Sequence, residues 1–69
     1  MTDDPRRTFR AIAESLAFNT TEYDAFNSDI QKEIRLRLLR GQTKLALALA
    51  TIKVEANKRL YHHNRAAAK

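Results

Sequence analysis

A single glycine, Gly41, and a single proline, Pro5, interrupt a chain of 69 residues. The remainder is rich in alanine, leucine and charged residues that favour helices, so long helices are the expected elements. Cysteine is absent, and neither a disulfide framework nor a thiolate metal site is available to stabilise so small a domain. The fold therefore depends on helix packing, on self-association or on a partner.

Apolar side chains recur every three or four residues, which is the spacing of a helix with one buried face. Asp4 suits the N-cap of the first helix and Pro5 its first position. Thr20 or Thr21 is expected to cap the second helix, and Gly41 to end it in a left-handed conformation. The sequence thus predicts an all-α protein of three helices, the last one longest, at about 5–18, 21–40 and 42–64.

Two alternatives to these boundaries remain open. The segment 28–31 offers a rival helix start, which would break the second helix near Asn27. Alternation over 51–55 also fits a short strand, although the neighbouring alanines disfavour it. The whole chain, 1–69, is expected to form one small domain with a frayed tail at 65–69.

Residues 30–61, placed on one helical wheel, are apolar over most of the circumference, and such a helix is usually enclosed by neighbours. The first helix, of about 20 Å, is too short to cover both apolar arcs of a third helix of about 35 Å. A partner or a second copy is expected to cover the remainder; the alternative is a compact monomeric bundle that turns at Gly41. The arc assigned to the core contains Ile30, Ile34, Leu38, Leu45, Leu49, Ile52 and Leu60. The arc assigned to a partner interface contains Leu36, Leu39, Leu47, Val54 and Tyr61.

The charges divide the chain into an acidic first part and a basic second part. Residues 1–30 hold three arginines and six carboxylates, a net charge of −3, whereas residues 31–69 hold ten basic residues and two carboxylates, a net charge of +8. Nucleic acid is the commonest partner of such a surface, and the planar forks of arginine suit phosphate. The residues predicted to make this contact are Arg35, Arg37, Arg40, Lys44, Lys58, Arg59 and Arg65.

The stretch 12–26 resembles a helix-turn-helix in the positions of its apolar residues. Ala17 stands where the turn glycine is usual, and Glu22 and Asp24 would place negative charge on the recognition helix. A packed corner between two helices is the favoured interpretation of this stretch.

A second likeness concerns the order of charges along the chain. Asp3, Asp4 and Pro5 begin it, residues 21–23 read Thr-Glu-Tyr, and the end is basic, a layout similar to that of filamentous-phage coat proteins. Their membrane-spanning segment has no counterpart in this sequence, so the family is not assigned. The likeness indicates only that such a helix can serve as a virion subunit.

Patterns for catalysis, metal binding and cofactor binding are missing from the sequence. Ser15 and Ser28 lack a base and an orienting group, there is no glycine-rich phosphate loop, and adjacent His62 and His63 lack a third ligand. No enzymatic activity, cofactor, metal or small-molecule substrate is expected. With neither a secretory signal nor a membrane span, the protein is expected in the cytoplasm or inside a virion.

Two functions remain open at this stage. The first is a non-enzymatic protein that binds nucleic acid through the second and third helices, such as a phage or plasmid regulator or a packaging protein. The second is a protein-binding helical module (an inhibitor, an adapter or a virion subunit) that docks through the apolar faces of the third helix. A homo-oligomer or a complex with a protein partner is expected in either case.

Overall fold

A computed structural model describes residues 4–67, which form three α-helices and no strand within that range. The helices are α1 at Pro5–Ser15, α2 at Thr20–Leu39 and α3 at Thr43–Ala67. The prediction of an all-α protein with three helices, the last one longest, is confirmed. The alternatives of a strand at 51–55 and of a break near Asn27 are excluded, because both segments lie inside continuous helices.

α1 ends three residues before Phe18, so the predicted boundary is wrong. Leu16 leaves the helix with an extended backbone, at φ −67° and ψ 133°. The N–H of Ala17 then donates to Oε1 of Glu22 at 3.4 Å. Glu22 lies in the first turn of α2, so a bond to the next helix replaces the continuation of α1.

Asn19 caps α2, in place of the predicted Thr20 or Thr21. Its Oδ1 accepts a hydrogen bond from the N–H of Glu22 at 2.9 Å, and its Nδ2 donates to Oε2 of Glu22 at 2.8 Å. The carboxylate three residues after the cap is therefore Glu22. An asparagine amide offers both an acceptor and a donor to this reciprocal arrangement, which explains why it is the residue that caps.

Gly41 turns the chain between α2 and α3. Its φ of +77° is in the left-handed region, and its N–H donates to the carbonyl of Leu38 at 3.0 Å. The N–H of Gln42 donates to the carbonyl of Arg37 at 2.8 Å, which completes a Schellman motif. The predicted left-handed stop is confirmed, and the flanking helices end and begin one residue from their predicted boundaries.

α2 and α3 pack against each other as an antiparallel hairpin. Asn27 and Asn57 exchange two side-chain hydrogen bonds of 3.0 and 2.8 Å. Nζ of Lys53 donates to Oε1 of Gln31 at 2.9 Å. Both pairs are symmetrical about Gln42, so a single register holds along the hairpin. Half-buried polar pairs of this kind favour one register over its neighbours, because a slip leaves their groups unpaired.

The core lies between this hairpin and α1. Phe9 of α1 meets Phe26 of α2 edge to face, with ring centroids 6.2 Å apart. Phe18, in the linker after α1, stacks on His63 of α3 at a centroid distance of 4.1 Å. The buried residues are Ala13, Tyr23, Phe26, Ile30, Ile34, Ala46, Leu49, Ile52 and Ala56.

The predicted core arc is confirmed except at Leu38, which is 51 % exposed. Leu38 lies in the last turn of α2, close to Gly41. α1 has 11 residues and spans about 17 Å, whereas α3 has 25 residues and spans about 38 Å. α1 is thus too short to cover the hairpin along its whole length. The remaining arc residues are buried or pack against the core: Ile30, Ile34, Leu45, Leu49, Ile52 and Leu60.

α3 continues to Ala67, three residues beyond the predicted boundary at Asn64. Of the predicted tail, residues 65–67 are helical, and residues 68–69 lie outside the described range. The molecule is elongated, with extents of 44 × 22 × 17 Å along its principal axes. Within residues 4–67, none of the helices α1, α2 and α3 is long and apolar enough to cross a membrane.

Candidate functional site

An open groove of about 680 Å³ runs between α2 and α3. The described residues that line it all come from these two helices. On the helical wheel of α3, the groove residue Val54 lies opposite His63, which contacts the linker after α1. The apolar lining consists of Ile34, Ala50, Val54 and Tyr61. The polar lining consists of Gln31, Lys53, Asn57 and Lys58.

Three large apolar side chains form an exposed stripe along α3. Leu47, Val54 and Tyr61 follow at intervals of seven residues, nearly two helical turns, and are 63 %, 53 % and 60 % exposed. The other two predicted interface residues, Leu36 and Leu39, are exposed on α2 and do not line the groove. The predicted partner interface is therefore divided, with its α3 part beside the groove and its α2 part away from it.

Arg37 differs from the other predicted nucleic-acid-binding residues because its charge is engaged within the hairpin. Its Nη2 lies 2.6 Å from Oε1 of Glu33, and its Nη1 donates to Oε1 of Gln42 at 3.0 Å. The side chain is only about one-fifth exposed. Arg37 thus ties the last turns of α2 to the residue after Gly41, and we assign it a structural role.

The other six predicted nucleic-acid-binding residues are exposed and make no ion pair with any residue in the described range. They fall into two groups at different levels of the hairpin. At 1.5 Å per residue, Lys44 and Lys58 lie about 21 Å apart along α3. The group near the turn contains Arg35, Arg40 and Lys44. The far-end group contains Lys58, Arg59 and Arg65.

The turn end of the hairpin, residues 34–54, contains no carboxylate. The sequence has no acidic residue between Glu33 and Glu55, and Glu33 is already paired with Arg37. Because the chain reverses at Gly41, residues 34–39 of α2 and 43–50 of α3 lie side by side at one end of the molecule. Exposed cations that no nearby carboxylate balances create a positive potential over this end.

On α1, by contrast, charges of both signs share one surface. Nη2 of Arg6 lies 3.0 Å from Oδ2 of Asp4, and hydrogen bonds from Arg6 hold the pKa of the Asp4 carboxyl below its ordinary value. The same pairing raises the pKa of Arg6. Arg7, Arg10 and Glu14 line a shallow recess with this pair. Opposite charges at such short range leave little net field for an anionic ligand.

The two histidines are engaged with aromatic rings. His63 stacks on Phe18, and His62 meets Tyr61 edge to face at 5.6 Å. Among residues 4–67, no three side chains of His, Asp or Glu are grouped closely enough to hold a metal ion.

Sequence reasoning singled out Lys58 but missed the other three polar residues of the groove, which are Gln31, Lys53 and Asn57. The signal that could have revealed them is their symmetry about the turn at Gly41. Once the chain is folded back there, Asn27 faces Asn57 and Gln31 faces Lys53, and each pair is complementary in hydrogen bonding.

No protein-family model matches the chain, and neither the curated proteins nor the solved structures contain a match to it. Function is therefore inferred from the site itself, because a three-helix fold alone does not specify one.

Proposed function

We propose that this protein binds nucleic acid, without catalysis, through the turn end of its hairpin. The observation that supports the proposal best is the carboxylate-free stretch 34–54 with its three exposed cations, Arg35, Arg40 and Lys44, which form no ion pair with any residue among 4–67. Binding to a phosphate backbone depends on positive charge that the protein does not neutralise itself. Two of the three cations are arginines, which bind phosphate through two parallel hydrogen bonds.

The far-end group extends the contact when the nucleic acid lies along α3. Along α3, Lys58 is about 21 Å from Lys44 and Arg65 about 32 Å, so one duplex or single strand meets both groups only in that orientation. Contacts of this kind are made to phosphates, which fix position and carry no sequence information. The biological role that fits is a regulator or a packaging protein of a phage or plasmid.

The test measures binding of a fluorescein-labelled duplex of about 20 base pairs, and of a single strand of equal length, by fluorescence anisotropy. At about 50 mM salt both are expected to bind, with an affinity that falls steeply as salt increases. The double variant Arg40→Gln/Lys44→Gln removes two phosphate contacts at the turn end. For the duplex, its slope of log affinity against log salt should be shallower by about 1.8, or about 0.9 per contact.

The matched control is Arg7→Gln/Arg10→Gln on α1, which lowers the net charge by the same amount. It should change affinity several-fold less than the turn-end variant, because those arginines share their surface with Asp4 and Glu14. Equal losses in both variants would show attraction by net charge alone and would overturn the assignment to the turn end. Absence of binding at low salt would overturn the proposed function.

A further inference from the structure

The α2–α3 hairpin has two long sides, and only one of them is covered. α1 packs on the covered side, where Phe9 meets Phe26. The other side, here called the open side, carries the groove and the exposed side chains of Val54 and Tyr61. Two antiparallel helices present a hollow of this shape to a third helix, as happens on the covered side.

We propose that the open groove binds an amphipathic helix of another protein, with an apolar ridge flanked by acidic side chains. The lining of the groove on α3 runs from Ala50 to Tyr61, or about 17 Å, which matches a guest helix of about three turns. Apolar contact along such a ridge, at intervals of three and four residues, is how helices dock in grooves. The groove thus selects the guest by its shape and its apolar ridge.

The charges of the groove determine which charge the guest helix must carry. Its lining includes Lys53 and Lys58 and no carboxylate. Lys53 is half-buried, and its ammonium donates at 2.9 Å to the amide oxygen of Gln31, a neutral partner that leaves the positive charge uncompensated. A carboxylate on the guest supplies the missing opposite charge in a partly desolvated position, where such a pair contributes most.

A second copy of this chain fits the groove less well. A two-fold contact places the same surface of both copies together, so Lys53 and Lys58 would meet lysines of the other copy. The groove lining provides no carboxylate to relieve this repulsion. Like charges opposed across an interface disfavour the complex, which is why the proposal commits to an acidic partner.

The test uses two synthetic peptides of about 16 residues with leucines spaced as on one helix face. One has glutamates flanking the leucines, and the other has lysines at the same positions. Binding is measured from the chemical-shift changes of the full-length, isotope-labelled protein. The acidic peptide is expected to bind at least about tenfold more tightly than the basic one and to shift the signals of Val54 and Tyr61.

Two variants with the same change of charge locate the site. Val54→Glu places a carboxylate in the groove and should weaken the acidic peptide by about tenfold. Leu39→Glu is the matched control, because Leu39 is 86 % exposed and lies outside the groove, and it should retain affinity within about twofold. Circular dichroism checks that both variants keep their helices.

Three results would overturn the inference. The first is that the acidic peptide does not bind, or binds no better than the basic one. The second is an equal loss of affinity in the two variants. The third is a dimer of the free protein in light scattering that Val54→Glu dissociates, since the occupant would then be a second copy. The variant Arg40→Gln/Lys44→Gln separates the two proposals: it should weaken nucleic acid and leave peptide affinity unchanged within about twofold.

Discussion

The covered and open sides of the α2–α3 hairpin share the same two helices but differ in what lies on them. On the covered side, Phe9 packs against Phe26, and Phe18 stacks on His63. On the open side, Val54 remains more than half exposed beside a groove that no described residue of α1 enters. α1 and its linker cover one side of the hairpin. The other side lacks the third helix that would bury its apolar residues.

This difference separates the residues that stabilise the fold from those available for binding. Burial removes apolar area from water at about 25 cal/mol per Å², so buried residues such as Leu49 contribute strongly to stability. Exposed residues of the groove such as Val54 contribute little while the groove is empty. Changes on the open side should therefore alter binding and spare the fold, whereas changes in the core should do the reverse.

The largest expected effect comes from comparing two leucines of α3 that lie two positions apart. Leu49→Ala removes a fully buried side chain and should lower the free energy of unfolding by about 2–5 kcal/mol. Leu47→Ala removes an exposed one and should change it by less than about 0.5 kcal/mol. Urea denaturation followed by circular dichroism gives both values. If Leu49→Ala does not fold, the milder Ile52→Val should cost about 0.5–1.5 kcal/mol.

If the loss of stability in Leu47→Ala increased with protein concentration, the distinction between the buried Leu49 and the exposed Leu47 would be wrong. That result would mean that the open side is buried between copies in solution, because only association makes stability depend on concentration.

A smaller effect should distinguish two aromatic residues of similar exposure. Phe18, 49 % exposed, stacks on His63, whereas Tyr61, 60 % exposed, lies beside the open groove. Phe18→Ala should lower the free energy of unfolding by about 0.5–1.5 kcal/mol, the usual contribution of an aromatic pair. Tyr61→Ala should be neutral within about 0.5 kcal/mol, because its aromatic contact is with the exposed, adjacent His62 of the same helix and joins no two elements. Equal losses, measured by urea denaturation, would contradict the division into covered and open sides.

The smallest effect concerns the start of α1 and its pH dependence. The pKa of Asp4 is below its ordinary value of 3.8 in the folded chain, because the carboxylate accepts hydrogen bonds from Arg6. Its contribution to stability is therefore present above pH 3.8 and is lost as the pH falls through the lower, folded-state pKa. Asp4→Asn, which keeps a capping oxygen, should be slightly less stable than the wild type at neutral pH and equal to it at strongly acidic pH.

Thermal unfolding at the two pH values measures this difference. A difference that persists in strong acid would show that the cap geometry, and not the charge of Asp4, stabilises α1.

Much of the fold could be predicted, because it depends on short-range physics. The spacing of Ile30, Ile34 and Leu49 identified core positions, and Gly41 identified the turn. Predictions failed where two local arrangements compete at similar energy. Asn19 and the threonines after it are all good caps, and the choice among them depended on the position of Glu22.

The candidate sites were harder to predict, because they depend on which segments meet. The sequence indicated cations over the second and third helices, and the spacing of four residues also favours the pair that Arg37 makes with Glu33. Only the structure showed that Arg37 also donates to Gln42 beyond the turn. A single helical wheel for residues 30–61 also joined apolar side chains that the turn places on different helices.

By itself, the sequence determined three helices, the reversal at Gly41 and a carboxylate-free stretch on both sides of it. These follow from backbone propensity, side-chain spacing and charge order, which act over a few residues. Only the tertiary structure decided that the residues on both sides of Gly41 form one cationic end. It also decided that Lys53 donates a hydrogen bond to Gln31, and that α1 covers one side of the hairpin and leaves the other open. Those features join residues distant in sequence, and their arrangement depends on the register of the hairpin and on the short reach of α1.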